Sequence, residues 1–259
     1  MDWLYPLSGL LVGVIVGLTG VGGGSLMTPL LVLGFGFSPA TAVGTDLLYA
    51  AFTKAGGTVA HQKKSNIDWR IVGLLGAGSV PAALVTLYVL HRLGPASAHF
   101  NSIVMSTLGV ALILTALSII LRGLFQSSAR SREIVVNTTI STQAAVNTVI
   151  VGLLLGVLVT VSSVGAGALG TLALFILYPR LSTRQVVGTD IAHAVPLTLI
   201  GGLGHAALGT VNYALLGSLL LGSLPGIWIG SHLSSHIPER VLRSLLATML
   251  LIIGGKFVL

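Results

Sequence analysis

The sequence GVGGGS at residues 20–25 interrupts an apolar run from residue 4 to 33. The sequence SSVGAG at residues 162–167 interrupts a second run, from 145 to 177. Glycine at this density breaks helices, because it has the greatest backbone freedom to lose when a helix forms. Each run is also longer than the roughly 20 residues that one membrane-spanning helix needs. Each run is therefore predicted to form two helices separated by a break.

The composition indicates a protein embedded in lipid. Of the 259 residues, 54% are hydrophobic and 7% are charged, and the mean hydropathy is +0.99. Soluble domains carry about 25% charged residues. The absence of cysteine excludes disulfides, thiol catalysis and sulfur-ligated metals, and no metal site or cofactor is predicted. The net charge of +7 comes from scattered Lys and Arg, which are read as topology signals and not as a nucleic-acid surface.

The two interrupted runs belong to an internal repeat. The sequence VGTD at 43–46 returns at 187–190, 144 positions later, and His61 returns as His205 at the same offset. We therefore divide the chain into a first repeat (1–126), a cytoplasmic linker (127–139) and a second repeat (140–259). Each repeat holds four apolar segments, at 4–33, 40–60, 70–91 and 98–121, then at 145–177, 185–204, 214–233 and 240–255.

Loop charges distinguish two topologies. If both interrupted runs cross the membrane, seven Lys and Arg face one side and five the other; if both fold back, the split is ten against two. Cytoplasmic loops are enriched in Lys and Arg, so the second topology is predicted. The fold class is then an all-α polytopic membrane protein with two inverted repeats, each a re-entrant broken hairpin plus three transmembrane helices. Both termini are expected on the extracytoplasmic side of the membrane.

Two broken helices that meet at the midplane predict an anion site. Each restarting helix directs unpaired N–H groups and its positive dipole end at the break, and such breaks mark substrate sites in secondary transporters. The alternative is that these glycines only permit close helix packing. The predicted substrate-binding residues are Thr19, Gly22, Gly23, Gly24, Ser25, Ser162, Ser163, Gly165 and Gly167.

Ionisable residues inside membrane segments are costly and suggest function. Asp46 and Asp190, which follow Thr45 and Thr189, could carry a coupling proton or ligate Na⁺, or could accept hydrogen bonds that hold the breaks in shape.

Two further residues are candidates for coupling. Lys54 is interpreted as snorkelling to the cytoplasmic interface, with attraction of the anion or pairing with Asp46 as alternatives. His193, three residues after Asp190, could relay protons, although a hydrogen-bonded packing role is the preferred interpretation.

The chain resembles the sulfite exporter TauE/SafE family. The matching residues are Gly20–Gly24 with Pro29, Ala42–Asp46, His61, Asn66–Trp69 and Pro81, then Val187–Asp190, Gly209–Tyr213, Pro225-Gly226 and Gly230. The resemblance implies transport of small sulfur-containing anions, such as sulfite or sulfonates including sulfoacetate, usually outward across the cytoplasmic membrane. It also implies a location in the bacterial inner membrane. The second glycine run departs from the pattern at Ala166 and Ala168, so the two half-sites are not expected to contribute equally.

Several functions remain open on the sequence. A secondary transporter, an anion channel and an uptake permease for sulfonates could all use the same helix ends, and an intramembrane hydrolase would need a pair such as Ser163 with His205. An inside-negative potential drives a monoanion outward by about 2.3 kcal/mol per 100 mV, so export needs no coupling ion whereas uptake does. Exposed helix faces could support a homodimer.

Overall fold

The computed structural model describes residues 3–19, 23–94, 97–129, 140–233 and 239–258. Regular structure in these ranges is helical. The helices are α1 (Leu4–Thr19), α2 (Gly24–Pro29, continued by a π-helical turn over Leu30–Gly34), α3 (Pro39–Lys63), α4 (Trp69–Leu93), α5 (Ala98–Ala129), α6 (Thr142–Ser162), α7 (Ala168–Leu177), α8 (Thr183–Ala207), α9 (Tyr213–Leu233) and α10 (Glu239–Val258). Of the predicted linker, residues 127–129 continue α5 and residues 130–139 lie outside the described ranges.

Local sequence signals fix where the long helices begin. The Ser38 hydroxyl accepts a hydrogen bond from Thr41 N at the start of α3, and Asp68 accepts from the first amides of α4. Ser182 and Gln185 form a capping box at the start of α8. Such caps satisfy amides that have no partner within the helix. The caps at Ser38 and Ser182 occupy equivalent positions in the two repeats.

Each interrupted run folds back on itself, as the sequence predicts. In the second repeat, Thr148 near the start of α6 hydrogen-bonds Tyr178 just after α7, with 2.6 Å between the two side-chain oxygens. In the first repeat, the rings of Tyr5 in α1 and Phe35 after the π-helical turn meet edge to face at 5.1 Å. Both closing pairs occupy equivalent positions, 143 residues apart. The chain therefore reverses direction at each break and forms two helical hairpins.

The first helix of each hairpin packs on the opposite repeat through a seam of glycines. A Cβ atom on Gly13 of α1 would lie 2.6 Å from Ser223 O of α9, and one on Gly222 of α9 would clash with Pro6 O of α1. The equivalent seam joins α6 to α4, where Gly78 and Gly152 lie against backbone of the other helix. Close backbone approach through small residues is the usual way that helices associate in membranes. The repeats are therefore interlocked and do not sit side by side.

Equivalent helices pair in opposite directions at the centre of the molecule. In the α3–α8 pair, Leu47 contacts Gly201 while Gly57 faces Ile191, so the two helices run antiparallel. Helices α5 and α10 also run antiparallel, since Gly109 packs on Gly254 and Phe257 while Gly123 packs on Arg243. This is the pairing that an inverted repeat requires. The inversion across a bilayer stays a prediction.

Five helices of the described ranges are long and apolar enough to cross a membrane by length and composition: α4, the His99–Gly123 part of α5, α6, α8 and α9. Helix α3 has 25 residues but is less apolar, because Asp46 and Lys54 lie within it. Helix α1 has 16 residues, about 24 Å at 1.5 Å per residue, and is shorter than the roughly 30 Å hydrocarbon core. Helix α6, its equivalent, has 21 residues. The two hairpins therefore differ in the length of their first helix.

The glycine seam between α1 and α9 gives a test of the interlocked packing. Gly222→Ala is expected to lower the free energy of unfolding by about 1–3 kcal/mol, because the new methyl overlaps Pro6 O and the backbones must separate. Gly217→Ala in the same helix is the control, since nothing lies within 4 Å of its Cβ position. Thermal unfolding in detergent measures both. Equal unfolding temperatures for the two variants would contradict this packing.

Candidate functional site

The tips of the two hairpins touch each other. Gly24, the first residue of α2, lies against Ser163 in the second break so closely that a Cβ on Gly24 would clash with Ser163 O. A small cavity forms beside this contact. It is lined by Gly24, Ser25, Thr115, Ser163, Gly165, Ala166 and Ala168. The structure thus brings together the two breaks that the sequence predicts to form one site.

Only part of the predicted set faces the cavity. Gly24, Ser25, Ser163 and Gly165 line it. Gly23 instead packs on the Tyr49 ring. Gly167 is the N-terminal cap residue of α7 but is not among the lining residues. For Thr19 the structure describes only its place at the end of α1, and Gly22 lies outside the described residues.

Ser162 has a structural role at the break. Its hydroxyl donates to Leu158 O at 2.6 Å in its own helix and accepts from Val164 N at 3.2 Å. It is buried but does not line the cavity. Ser162 thus stabilises the turn that carries Ser163 into the site.

Backbone conformation makes the second break possible. Ser163, Gly165 and Gly167 have φ values of 59°, 115° and 129°. Residues with a Cβ rarely adopt positive φ, whereas glycine does so without steric cost. The glycines are therefore required for the turn between α6 and α7, and Ser163 is held in a left-handed conformation at the tip. This answers why Ala166 and Ala168 are tolerated, since the positions with positive φ keep glycine on either side of Ala166.

Helix α5 contributes a cavity residue that the sequence analysis missed. Thr115 is 1% exposed, and its hydroxyl has no hydrogen-bond partner. One turn further, the Ser118 hydroxyl donates to Ala168 O at 2.7 Å and so holds the start of α7. The available signal was two hydroxyl residues three apart within an apolar span, where polar side chains are uncommon.

The two equivalent aspartates have different surroundings. Asp46 accepts a hydrogen bond of 2.5 Å from the Thr28 hydroxyl, which ties α3 to α2. Asp190 is also fully buried, but neither of its carboxylate oxygens has a hydrogen-bond partner. One of these oxygens lies directly against Gly170 of α7, where any side chain would clash with it. Neither aspartate is among the residues that line the cavity.

Thr45 and Thr189 join the repeats to each other. The Thr45 hydroxyl accepts from Asn212 N at 3.0 Å, and the Thr189 hydroxyl accepts from Asp68 N at 3.0 Å. The glycine that precedes each threonine lets the same loop of the opposite repeat approach, at Thr210 for Gly44 and at Asn66 for Gly188. The Gly-Thr pair of each VGTD sequence therefore docks the loop that follows the equivalent helix of the other repeat.

Lys54 does not snorkel as the sequence interpretation expected. Its Nζ donates to Ala166 O in the second break at 2.8 Å. The side chain turns inward because the interrupted backbone offers a carbonyl that no helix partner satisfies. Thr198, the equivalent residue in α8, donates to Ala194 O of its own helix at 2.8 Å. Lys54 thus gives the second hairpin a contact without a counterpart on the first.

The buried histidines are held by hydrogen bonds. His193 Nε2 lies 2.8 Å from Ser79 Oγ of α4, so His193 and Asp190 point at different helices. His205 Nε2 contacts Thr160 O at 3.0 Å and its Nδ1 contacts Thr210 Oγ1 at 2.9 Å. With both ring nitrogens engaged in this way, His205 is not placed as a general base for Ser163. Ser163 and His205 therefore do not form the nucleophile and base that a hydrolase would need.

Comparison with known proteins agrees with a membrane transporter. The family model described as sulfite exporter TauE/SafE matches residues 5–257. A probable membrane transporter protein of Bacillus subtilis, YjnA, is 39% identical over 252 residues, 97% of this chain and 98% of the relative. A second B. subtilis protein with the same description, YdhB, is 32% identical over 90% of this chain and 91% of its own length. A probable membrane transporter protein of Xylella fastidiosa is 27% identical over 90% of this chain and 87% of its own length. No solved structure gives a significant match.

The crossed docking of the VGTD threonines gives a second prediction. Thr45→Val and Thr189→Val should each lower the free energy of unfolding by about 1–3 kcal/mol, because a partly buried amide of the opposite repeat loses its acceptor. Thr53→Val is the control, since its hydroxyl bonds only to carbonyls of its own helix. Thermal unfolding of the purified variants measures the effect. Losses no larger than that of Thr53→Val would show that these bonds do not join the repeats.

Proposed function

Since this chain belongs to the sulfite exporter TauE/SafE family, we propose that it is a secondary transporter that exports small sulfur-containing anions such as sulfite and sulfonates. Family and relatives make it a multi-pass membrane transporter. The proposal adds the class of substrate, the direction and the place of binding. The anion is held between the two hairpin tips.

The single observation that carries the proposal is the lining of the cavity. It consists of small residues, hydroxyls and backbone, with no carboxylate among its lining residues. Thr115 and Ser163 line it with buried hydroxyls, and the Thr115 hydroxyl has no hydrogen-bond partner. The Ser163 hydroxyl also lies near the Asp46 carboxylate. Buried polar groups are normally hydrogen-bonded, so the Thr115 hydroxyl is suited to an oxyanion. A sulfonate or sulfite group offers three oxygens, which match several donors converging from α5 and both tips.

The size of the cavity favours a carrier over a channel. It has room for about one water molecule. A sulfite ion has a sulfur and three oxygens and needs more space. The tips must therefore separate to admit the anion, and they close around the site when they meet. A continuous open pore is not required by this arrangement.

Energetics favours export from the bacterial cytoplasm. With both termini extracytoplasmic, as the loop charges predict, the linker side faces the cytoplasm. The inside-negative potential then drives a monoanion outward. A permease that accumulates sulfonates is the second candidate, and the buried Asp190, which lacks any hydrogen-bond partner, favours it because uptake requires a coupling ion.

A panel of ligands on the purified protein tests the substrate class. Sulfite and sulfoacetate are expected to raise the unfolding temperature in a concentration-dependent way, because a ligand stabilises the state that binds it. The same measurement with taurine, sulfate and small carboxylates at equal ionic strength ranks these ligands by the stabilisation that each one gives. Stabilisation by carboxylates alone, or by no anion in the panel, would contradict the proposed substrates.

Thr115→Val tests the cavity itself. Removing a hydroxyl that bonds a charged ligand costs about 1.5–3 kcal/mol, so affinity for the stabilising anion should fall tenfold or more. Thr86→Val is the matched control, since Thr86 is also a buried threonine in a span but donates to Ala82 O of its own helix. Titration by thermal shift or calorimetry gives both affinities. Unchanged affinity in Thr115→Val would place the anion elsewhere.

A further inference from the structure

The repeats use their equivalent aspartates differently, and the difference centres on Asp190. Asp190 is fully buried, both of its oxygens lack a hydrogen-bond donor, and one oxygen lies on the backbone of α7 at Gly170. Its equivalent Asp46 has the Thr28 hydroxyl. An ionised carboxylate that is buried without a donor is very unfavourable. In this arrangement Asp190 fits the neutral, protonated form.

The charged groups around Asp190 come from two other helices. Lys54 of α3 and Arg122 of α5 are the cations near enough to act on it. Helices α6 and α7 bring no titratable side chain. On its own helix, His193 turns to Ser79 of α4. Two nearby cations make Na⁺ an unsuitable occupant, whereas a proton needs no further ligands.

We propose that Asp190 is the site of a coupling proton and that Lys54 is the latch that this proton controls. This rests on the proposed transport of a small anion, and it applies both to export and to the uptake of the second candidate, which requires the proton. In the structure the Lys54 ammonium donates to Ala166 O, and we assign this arrangement, with the second break held closed, to the protonated form of Asp190. When Asp190 releases its proton to water, its negative charge attracts the ammonium away from the carbonyl, because a charged acceptor binds an ammonium more strongly than a neutral one.

Loss of the Lys54 bond would loosen one wall of the cavity. Ala166 is a lining residue, and Ser163 and Gly165 of the same break line it too. Helix α7 begins two residues later and lies against Asp190 at Gly170. Deprotonation therefore acts on the hairpin at two points, the break and the first turn of α7. The second hairpin is the one that responds to protons, and the first hairpin has no such latch because Thr198 replaces the lysine.

Infrared spectroscopy of the purified full-length chain tests the proton site without any substrate. The chain has only six Asp and Glu, so the carbonyl stretch of a protonated carboxylic acid is readily assigned. At mildly acidic pH we expect this band in the wild type and in Asp46→Asn, and its loss in Asp190→Asn. A band that survives in Asp190→Asn, or one that only Asp46→Asn removes, would overturn the assignment.

Hydrogen exchange tests the latch. After correction for the intrinsic pH dependence of exchange, amides of the segment 164–170 should open as the pH rises in the wild type. In Lys54→Met they should be open at every pH, and in Asp190→Asn they should stay protected at every pH. Wild-type protection that does not change with pH, or that Lys54→Met leaves intact, would refute the latch. If Asp190→Asn does not fold, the pH dependence of exchange in the wild type and in Lys54→Met still tests the latch. These readouts do not involve an anion, so the outcome of the ligand panel is separate.

Discussion

Unpaired backbone at membrane depth has to be satisfied inside the protein, and this requirement governs the whole arrangement. Non-helical backbone is tolerated in the hydrocarbon region only when protein buries it or when it lines a cavity. Where the structure describes the residues at the breaks, the other repeat or a central helix covers them. Gly24 lies on Ser163, Lys54 satisfies Ala166 O, and Ser118 satisfies Ala168 O. The Thr115 hydroxyl, which has no hydrogen-bond partner, belongs to a residue that lines the cavity.

The interlocked packing follows from the same requirement. Two hairpins can bring their tips together only if each lies against the opposite half of the molecule, which the glycine seams of α1 with α9 and of α4 with α6 provide. The Thr45 and Thr189 contacts then fix the loops of one repeat on the central helix of the other. These contacts join the two repeats into one packed structure. The copies differ at Lys54, whose equivalent is Thr198, and in the hydrogen bonding of the two aspartates.

The sequence predicts the framework well because its signals are local or repeated. Glycine density marks both breaks, the 144-residue offset reveals the repeat, and helix caps at Ser38 and Ser182 mark where helices start. The inward course of Lys54 could not be predicted, since it depends on a carbonyl more than a hundred residues away. Thr115 was missed because it has no distinguishing motif, and its importance comes only from the tips that pack beside it.

Cross-linking across the cavity tests the central claim, that the two tips enclose an anion. Because the chain has no cysteine, Ser25→Cys with Ser163→Cys can be labelled in membranes without background. A short bifunctional thiol reagent should join the two positions within one chain, and sulfoacetate should block the reaction while a neutral sulfone of similar size should not. Cysteines that never join, or that join equally fast with and without every anion tested, would contradict the account.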